Sequence, residues 1–225
     1  MAGITLIREF MALFITFEGI EGSGKSTQIR RLHDYLTAHG QAVLMTREPG
    51  GCAIADAIRA ILLDPANQAM TARTELLLYA AARAQHVEQV IRPALAAGTT
   101  VLCDRFFDAT TAYQGGGRGL DQPLIETLNA IATDGLCPDL TLLLDFAAED
   151  GLRRARQRNH DSNLLDEGRF ELETIDFHRR VRQSYLQLAG SEPRFRIIDA
   201  TGGPDEVAIR IKATVEGFLA GRSGP

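Results

Sequence analysis

The sequence has very little lysine, few cysteines and no tryptophan, and the first two shortages are informative. Of the 24 basic residues in the 225-residue chain, only Lys25 and Lys212 are lysines and the other 22 are arginines. Since Arg replaces Lys almost everywhere, a position that keeps Lys is a candidate for chemistry that needs a compact ammonium group. The three cysteines have no Cys-x-x-Cys spacing, which argues against a disulfide scaffold or a zinc site and predicts small packing residues in a reducing compartment.

Long apolar runs are also missing. No stretch approaches the roughly 20 apolar residues that a helix needs to span a bilayer. Residues 1–10 carry Arg8 and Glu9 and enter the apolar segment Met11–Phe17 without a small-residue cleavage site, unlike a signal peptide. The sequence therefore predicts a cytoplasmic protein with no membrane partner. Met11 is an alternative start that would make residues 1–10 an extension, which the intact mass of the native protein distinguishes.

Charge and length narrow the remaining classes. The formal net charge of -5 argues against a general nucleic-acid-binding surface, although local cation clusters that hold phosphates remain compatible with it. A chain of this length with 45% apolar residues can bury an ample core, and we expect one domain over residues 1–225.

Short apolar runs alternate with helical patterns along the chain. The predicted strands are Leu13–Phe17, Ala42–Thr46, Thr99–Cys103, Leu140–Leu144 and Phe195–Ile198. The predicted helices cover residues 25–39, 71–97, a segment that follows the N-cap Asp121, 170–189 and 204–219. Near-continuous apolar strands are typical of a parallel sheet covered on both faces, so the pattern predicts a doubly wound α/β fold. Residues 153–169 are Arg-rich with few apolar positions, which predicts a mobile lid.

The segment Gly19-Ile20-Glu21-Gly22-Ser23-Gly24-Lys25-Ser26-Thr27 matches the phosphate-binding P-loop pattern G-x-x-x-x-G-K-[ST]. It follows the first predicted strand and opens a helix, where glycines and the helix N-terminus present N–H groups to phosphate oxygens. Lys25 is predicted to reach the β- and γ-phosphates, while Ser26 and Asp104 are the predicted ligands of Mg²⁺. The alternative, an incidental glycine-rich turn, would occur in roughly one chain of this length in a hundred.

The P-loop alone does not identify a reaction. A GTPase needs an Asn-Lys-x-Asp segment to bind guanine, and with Lys only at positions 25 and 212 the chain contains no Asn-Lys pair. Phosphoryl transfer to a small molecule is therefore favoured. At the end of the third predicted strand, Asp104-Arg105 lies where open α/β sheets bind ligands, although a purely structural Asp-Arg pair is the alternative.

Further motifs accompany that pair. Thr46-Arg47-Glu48-Pro49-Gly50-Gly51, then Asp104-Arg105-Phe106 and Ala112-Tyr113-Gln114-Gly115, together with the P-loop, resemble the thymidylate kinase family in order and spacing over nearly the whole chain. The resemblance implies a P-loop kinase fold, in which helices enclose a five-stranded parallel sheet with a mobile lid. It also implies a homodimer, with helices near residues 71–97 and 121–133 at the interface.

The resemblance implies which residues bind the phosphate and sugar of the acceptor nucleotide. Arg59 and Arg105 match the positions that hold the acceptor phosphate. Glu21 matches the acidic position that contacts the sugar 3'-hydroxyl, and Tyr113 matches the residue that crowds the 2' position. Catalytic roles therefore fall on Lys25 and Arg105.

The same resemblance assigns the base. Tyr79 matches an aromatic residue that stacks on thymine, Arg83 matches the ligand of base O4, and Thr110 and Gln114 match positions that contact the base edge. Taken without the resemblance, Tyr79 on an apolar helix face reads as a core aromatic. The chain departs from many relatives at Ala109, where they carry a hydroxyl residue.

Phosphoryl transfer also needs a cation between two phosphates that repel each other. Thymidylate kinases carry it in the P-loop or in the lid, and Gly22 at the P-loop position makes this chain similar to the lid type. We expect Arg158 to be the catalytic lid residue, followed by Arg154 and Arg156. The alternative, a solvated charged face, applies to at least one lid arginine.

Together with the P-loop, the resemblance implies an enzyme that transfers the γ-phosphoryl group of ATP to dTMP, giving dTDP and ADP for dTTP synthesis, with ATP and Mg²⁺ as cofactors. One alternative is a kinase of another nucleoside monophosphate. The other is a nucleotide-binding regulatory protein without turnover.

Overall fold

The computed structural model describes residues 12–162 and 169–222, and at residues 158–162 it describes the backbone only. The predicted extension at residues 1–10 lies outside these ranges. One parallel sheet has the strand order β2-β3-β1-β4-β5. Its strands are β1 (Phe14–Glu18), β2 (Val43–Arg47), β3 (Thr100–Asp104), β4 (Leu140–Asp145) and β5 (Phe195–Asp199). All five strand predictions are confirmed, and each strand ends one residue later than the sequence predicted.

Burial along the strands follows their place in the sheet. The central strands β1, β3 and β4 are buried almost throughout, as the apolar runs predict. The edge strands β2 and β5 have several half-buried or exposed positions, because each has a neighbour on one side only. The expectation of burial on both faces is therefore confirmed for the central strands and wrong for the edges.

Helices lie on both faces of the sheet. Within the described residues they are α1 (Lys25–Ala38), α2 (Ala53–Leu63), α3 (Ala72–His86), α4 (Arg92–Ala96), α5 (Phe107–Thr110), α6 (Gln122–Thr133), α7 (Ala148–Ser162), α8 (Ile175–Ser191) and α9 (Pro204–Arg222). Two π-helical segments, Val87–Ile91 and Thr111–Gly117, continue α3 into α4 and extend α5. None of the described helices is long and apolar enough to cross a membrane.

Several helix predictions need correction. The predicted helix 71–97 is continuous, but a π-helical segment interrupts its α-helical geometry. α8 begins at Ile175 instead of 170, because the Thr174 side chain caps the helix by accepting from the Phe177 N–H. The sequence did not predict α2 or α5.

The predicted lid is more ordered at its start than the sequence suggested. α7 continues to Ser162, so the first ten residues of the range 153–169 are helical. Ala155 and Arg169 are buried, although this stretch has few apolar positions. Residues 163–168 of the predicted lid lie outside the described residues, and its mobility stays a prediction.

The lysine without a predicted role, Lys212, lies on α9. Its ammonium stands 4.3 Å from the centre of the Tyr35 ring on α1, and the Tyr35 hydroxyl donates to Glu216 at 2.6 Å. Lys212 therefore helps to fasten α9 to α1, which we expect to be worth about 0.5–1 kcal/mol at this exposed position.

Candidate active site

The P-loop leaves the carboxyl end of β1 and enters α1 at Lys25. Gly24 occupies the N-cap with φ 95°, a left-handed conformation that favours glycine. Ser23 braces the loop through a hydrogen bond from its hydroxyl to the Ile20 carbonyl oxygen at 2.9 Å. The Lys25 ammonium donates to the carbonyl oxygens of Gly19 at 3.0 Å and Ile20 at 2.8 Å. The loop thus holds its lysine beside the cradle in which phosphates are predicted to bind.

The charge of Lys25 is affected by its surroundings. The side chain is buried, and burial together with the nearby Arg105 guanidinium lowers the pKa of Lys25 to about 8, although Asp104 and Glu21 oppose the change. A phosphate that reaches this position would supply the negative charge that the buried ammonium needs.

Two glycines bring the lid helix against the P-loop. A Cβ atom on Gly22 would lie 2.0 Å from the Gly151 carbonyl oxygen, and a Cβ on Gly151 would lie 2.5 Å from the Glu21 carbonyl oxygen. No side chain fits at Gly22 while α7 keeps this position. An arginine at position 22 is therefore sterically excluded, and the supply of the extra cation by the lid stays a prediction.

The predicted metal ligands meet at the carboxyl ends of β1 and β3. The Ser26 hydroxyl donates to the Asp104 carboxylate at 2.9 Å, and both side chains line the same cavity. One hydroxyl and one carboxylate fit Mg²⁺, which commonly takes one or two carboxylates and completes its shell with water and phosphate oxygens. Across the described residues, no three His, Cys, Asp or Glu side chains cluster to hold a metal. Metal binding here would therefore depend on the phosphates.

A cavity of about 540 Å³ opens beside the P-loop, within the size range of small-molecule sites. It brings together residues that the sequence predicted for one acceptor nucleotide although they are spread over nearly a hundred positions. The predicted acceptor ligands all line it: Glu21, Arg59, Tyr79, Arg83, Arg105, Thr110, Tyr113 and Gln114. The P-loop residues Gly22, Gly24, Lys25, Ser26 and Thr27 line it as well, so the two predicted phosphate sites are adjacent.

Arg105 lies at the centre of the polar wall. Its backbone has φ 70°, an unfavourable value for a residue other than glycine, which is the kind of strain found at functional sites. Its guanidinium donates to Glu21 at 3.0 Å and to the Tyr185 hydroxyl at 3.2 Å, and it stacks 4.7 Å from the centre of the Tyr113 ring. These contacts orient a cation toward the cavity.

Glu21 links the P-loop to that wall. It accepts a hydrogen bond from the Tyr113 hydroxyl at 2.6 Å, and its other oxygen lies 3.2 Å from His178 Nδ1 on α8. Burial alone would raise the pKa of this carboxyl, but the charge of Arg105 and a hydrogen bond from His178 hold it well below its usual range. Glu21 is therefore a permanent anion at neutral pH.

A second carboxyl group lies deeper below Arg105. Glu18, fully buried at the end of β1, accepts from the Phe106 N–H at 2.7 Å and from the Tyr185 hydroxyl at 2.7 Å. Burial, with the nearby Asp108 as a further cause, raises the pKa of Glu18 to about 8. This carboxyl thus accepts hydrogen bonds from two groups beside Arg105, the Phe106 N–H and the Tyr185 hydroxyl.

The end of the cavity where the base is predicted to bind is built around Arg83. Its side chain is 1% exposed and donates to Glu48 at 2.8 Å, to Asn129 at 3.1 Å and to Thr110 at 3.0 Å. The aromatic ring of Tyr79 lies one helical turn away and lines the same wall. The contacts of these side chains with a base stay predictions.

The lid arginines with described side chains differ in their surroundings. Arg154 lines the cavity and stacks 4.2 Å from the centre of the Phe146 ring. Arg156 donates to the Glu171 carbonyl oxygen at 3.0 Å, and the exposed Arg153 pairs with Asp150 at 2.7 Å. Arg158 is in α7, but its side chain lies outside the described residues, so its catalytic role stays a prediction.

Several residues of the site were missed from the sequence. Glu18, Glu48, Glu75, His178 and Tyr185 are buried around the cavity and bind its predicted residues. Their partners are far away in the chain, 167 positions in the pair Tyr185 and Glu18, so local spacing gave no signal. Two of them had a local sign. Glu48 lies in the motif Thr46–Gly51 but was given no role, and Glu75 is a single acidic residue in front of the apolar run Leu76-Leu77-Leu78.

Comparison with known proteins gives a consistent result. The thymidylate kinase family model matches residues 17–211. The chain is 60% identical over 209 residues to a thymidylate kinase of Trichlorobacter lovleyi, covering 92% of this chain and 99% of that protein. It is 59% identical over 211 residues to one of Geotalea uraniireducens, covering 93% and 99%. The crystal structure of thymidylate kinase from Ehrlichia chaffeensis superposes with a TM-score of 0.73 at 31% identity, covering 91% of this chain and 98% of that one.

Proposed function

The chain belongs to the thymidylate kinase family, and from that membership we propose that it transfers the γ-phosphoryl group of ATP to dTMP, giving dTDP and ADP. The observation that carries the proposal is the single cavity in which the P-loop Lys25 faces the acceptor residues around Arg105. A regulatory protein without turnover would not need both phosphate sites to open into one space.

The two halves of the cavity suggest how the reaction proceeds. The P-loop binds the phosphates of ATP, with Lys25 following the γ-phosphoryl group, and Ser26 and Asp104 would hold Mg²⁺. When bound, Mg²⁺ neutralises phosphate charge. Arg59 and Arg105 hold the phosphate of dTMP, whose oxygen attacks the γ-phosphorus as the bond to ADP breaks.

No general base is needed, because a phosphate with a second pKa near 6 is largely dianionic at neutral pH. The protein contributes position and positive charge, the main sources of catalysis in phosphoryl transfer. Arg154 lines the cavity, which makes it a candidate for the lid cation at the transferred group, as Arg156 and Arg158 are. Closure of the lid would exclude water and suppress ATP hydrolysis.

The choice of acceptor tests the proposal. Initial rates of ADP release with dTMP, dUMP, dCMP and UMP give kcat/KM for each acceptor, and we expect dTMP to be preferred. A higher value with any of the others would replace the substrate assignment by a different nucleoside monophosphate. Absence of turnover with all four would favour the regulatory alternative.

The lowered pKa of Lys25 predicts a pH dependence. In the free enzyme Lys25 loses its proton near pH 8, so kcat/KM for ATP should fall as pH rises above about 8. Bound phosphates stabilise the ammonium and raise its pKa, so kcat at saturating ATP should persist to higher pH. Rates measured from about pH 6 to about pH 10 at low and saturating ATP test this. A kcat/KM that stays level through pH 9 would contradict it.

We also propose a homodimer formed through α2, α3 and α6. These helices pack side by side and leave large aliphatic side chains exposed: Ile54, Ile61, Leu77, Leu124 and Ile131. Apolar surface of this kind on neighbouring elements is typical of protein interfaces.

Charge substitution at this surface should separate the subunits. Ile131 on α6 is 70% exposed. Ile131→Lys would place an ammonium group in the apolar interface. We expect this variant to have a lower molar mass than the wild type by light scattering after gel filtration. Ile209→Lys is the matched control, because Ile209 is 68% exposed on α9, which packs on α1 instead. A dimeric Ile131→Lys, or a monomeric wild type, would refute the proposed interface.

A further inference from the structure

A buried carboxylate behind the base end of the cavity has no role in the reaction described above. Glu75 lies in the first turn of α3 and is 1% exposed. Its Oε1 accepts from Gln114 Nε2 at 2.7 Å and from Arg118 Nε at 3.2 Å. Its Oε2 accepts from Arg118 Nη2 at 3.2 Å and from Arg169 Nη2. Glu75 is thus the common acceptor for two cations and one amide.

Glu75 is ionised in this setting. Burial alone would raise its pKa, but hydrogen bonds from Arg118 and Gln114 and the charges of Arg118 and Arg169 hold the pKa of Glu75 below its usual value. An ionised carboxylate can accept hydrogen bonds but cannot donate one. The group that faces it from Gln114 must therefore be the NH₂ end of the amide.

This contact fixes an orientation that Gln114 could otherwise choose freely. The two ends of a glutamine amide have similar shape, and only the hydrogen-bond network decides which end faces which neighbour. Gln114 lies in the π-helical segment Thr111–Gly117 and lines the cavity together with Tyr79 and Arg83. With its NH₂ end held by Glu75, Gln114 offers its carbonyl oxygen to a ligand in the cavity.

We propose that Glu75 is a positioning residue for base selection, since it holds Gln114 with an acceptor toward the base. The inference rests on the proposed function, in which the base end of the cavity receives a pyrimidine. Thymine and uracil carry a hydrogen on N3 and can donate to this oxygen. Cytosine has a lone pair at N3, so the two acceptors would face each other and stay unpaired, which costs binding and rate.

Substitution of Glu75 tests this through ratios of rates. In Glu75→Gln, the Oε2 position faces two arginine donors and the Oε1 position faces one. We therefore expect the new amide oxygen at the Oε2 position and its NH₂ group toward Gln114, which reverses the Gln114 amide. In Glu75→Ala, nothing fixes the amide. We expect the ratio of kcat/KM for dTMP to that for dCMP to fall about tenfold in both variants. Arg83 and its contacts do not involve Glu75, so part of the discrimination should remain.

A loss of stability would not produce this pattern. A ratio of two kcat/KM values from one preparation is independent of the folded fraction. The ratio for dTMP to dUMP should change less than about twofold, because both bases donate from N3. Glu173→Gln is the matched control, since Glu173 accepts from Arg118 Nη1 and does not contact Gln114.

A double-mutant cycle completes the test. In a Gln114→Leu background the amide is absent, so Glu75→Gln should leave the dTMP to dCMP ratio unchanged. Unchanged ratios in both single variants, an equal fall in Glu173→Gln, or the same fall in the Gln114→Leu background would each overturn the inference. Failure of the proposed function would look different, because the wild type itself would not prefer dTMP.

Discussion

Replacement of Lys25 by alanine is expected to lower kcat by about 10²–10³-fold, with a smaller effect on the KM for dTMP. Lys25 is the buried cation of the P-loop, and its ammonium is placed to stabilise charge on the phosphoryl group in the transition state. Lys25→Arg should restore little activity, because a planar guanidinium cannot take the place of an ammonium that fits between two loop carbonyls 2.8–3.0 Å away. Steady-state kinetics with varied ATP and dTMP provide the measurement.

The other lysine is the control for this substitution. Lys212→Ala removes the contact with Tyr35 on α1. Neither residue lines the cavity, so kcat and both KM values should stay unchanged. A Lys25→Ala enzyme with wild-type kcat would exclude the assigned role of the P-loop lysine. A comparable loss of kcat in Lys212→Ala would mean that the effect of either lysine is structural.

Replacement of Arg105 by alanine is expected to lower kcat/KM for dTMP by about 10³-fold or more, because one cation both binds the acceptor phosphate and offsets repulsion between the phosphates. The KM for ATP should change much less. Removal of the Arg105 side chain also takes a charged partner from the buried Glu21 carboxylate, which can lower stability. The melting temperature should therefore be measured alongside the kinetics.

Arg222→Ala is a matched control for Arg105. Arg222 pairs with Asp139 at 2.7 Å. Asp139 comes just before β4 begins, so the pair lies at the amino ends of the strands, whereas the cavity lies at their carboxyl ends. This pair is partly exposed, and its loss should cost less than about 1 kcal/mol of stability and no activity. If Arg105→Ala raised the KM for ATP as much as that for dTMP, the guanidinium would belong to the donor site instead.

The sequence predicted the parts of the fold that depend on local pattern. Central strands such as β1 and β4 are apolar because both faces are covered, and the P-loop is recognisable because phosphate binding needs glycines and Lys25 at fixed spacing. α2 was missed although Ile54, Ile58, Ile61 and Leu62 recur on it at helical spacing. Ile54 and Ile61 remain exposed on it, so burial within the chain does not account for the pattern.

The sequence predicted the residues of the candidate site whose side chains line the cavity. It did not predict the buried residues that hold those side chains in place. Residues behind the cavity wall, such as Glu75 and Tyr185, depend on pairing between distant segments, since Gln114 and Glu75 are 39 positions apart and Tyr185 and Glu18 are 167 apart. No local motif encodes such a pair. The sequence also did not show why position 22 is a glycine. In the structure the backbones of Gly22 and Gly151 nearly touch, so no side chain fits there.

The proposed function requires that dTMP binds in the cavity beside the P-loop, in contact with the residues that line it. A crystal structure with dTMP bound tests this most directly. We expect the phosphate to lie on Arg59 and Arg105, the base to stack on Tyr79, and N3 to lie within hydrogen-bond distance of the Gln114 side-chain carbonyl oxygen. A dTMP molecule bound elsewhere, or bound there with its base toward Lys25, would contradict it.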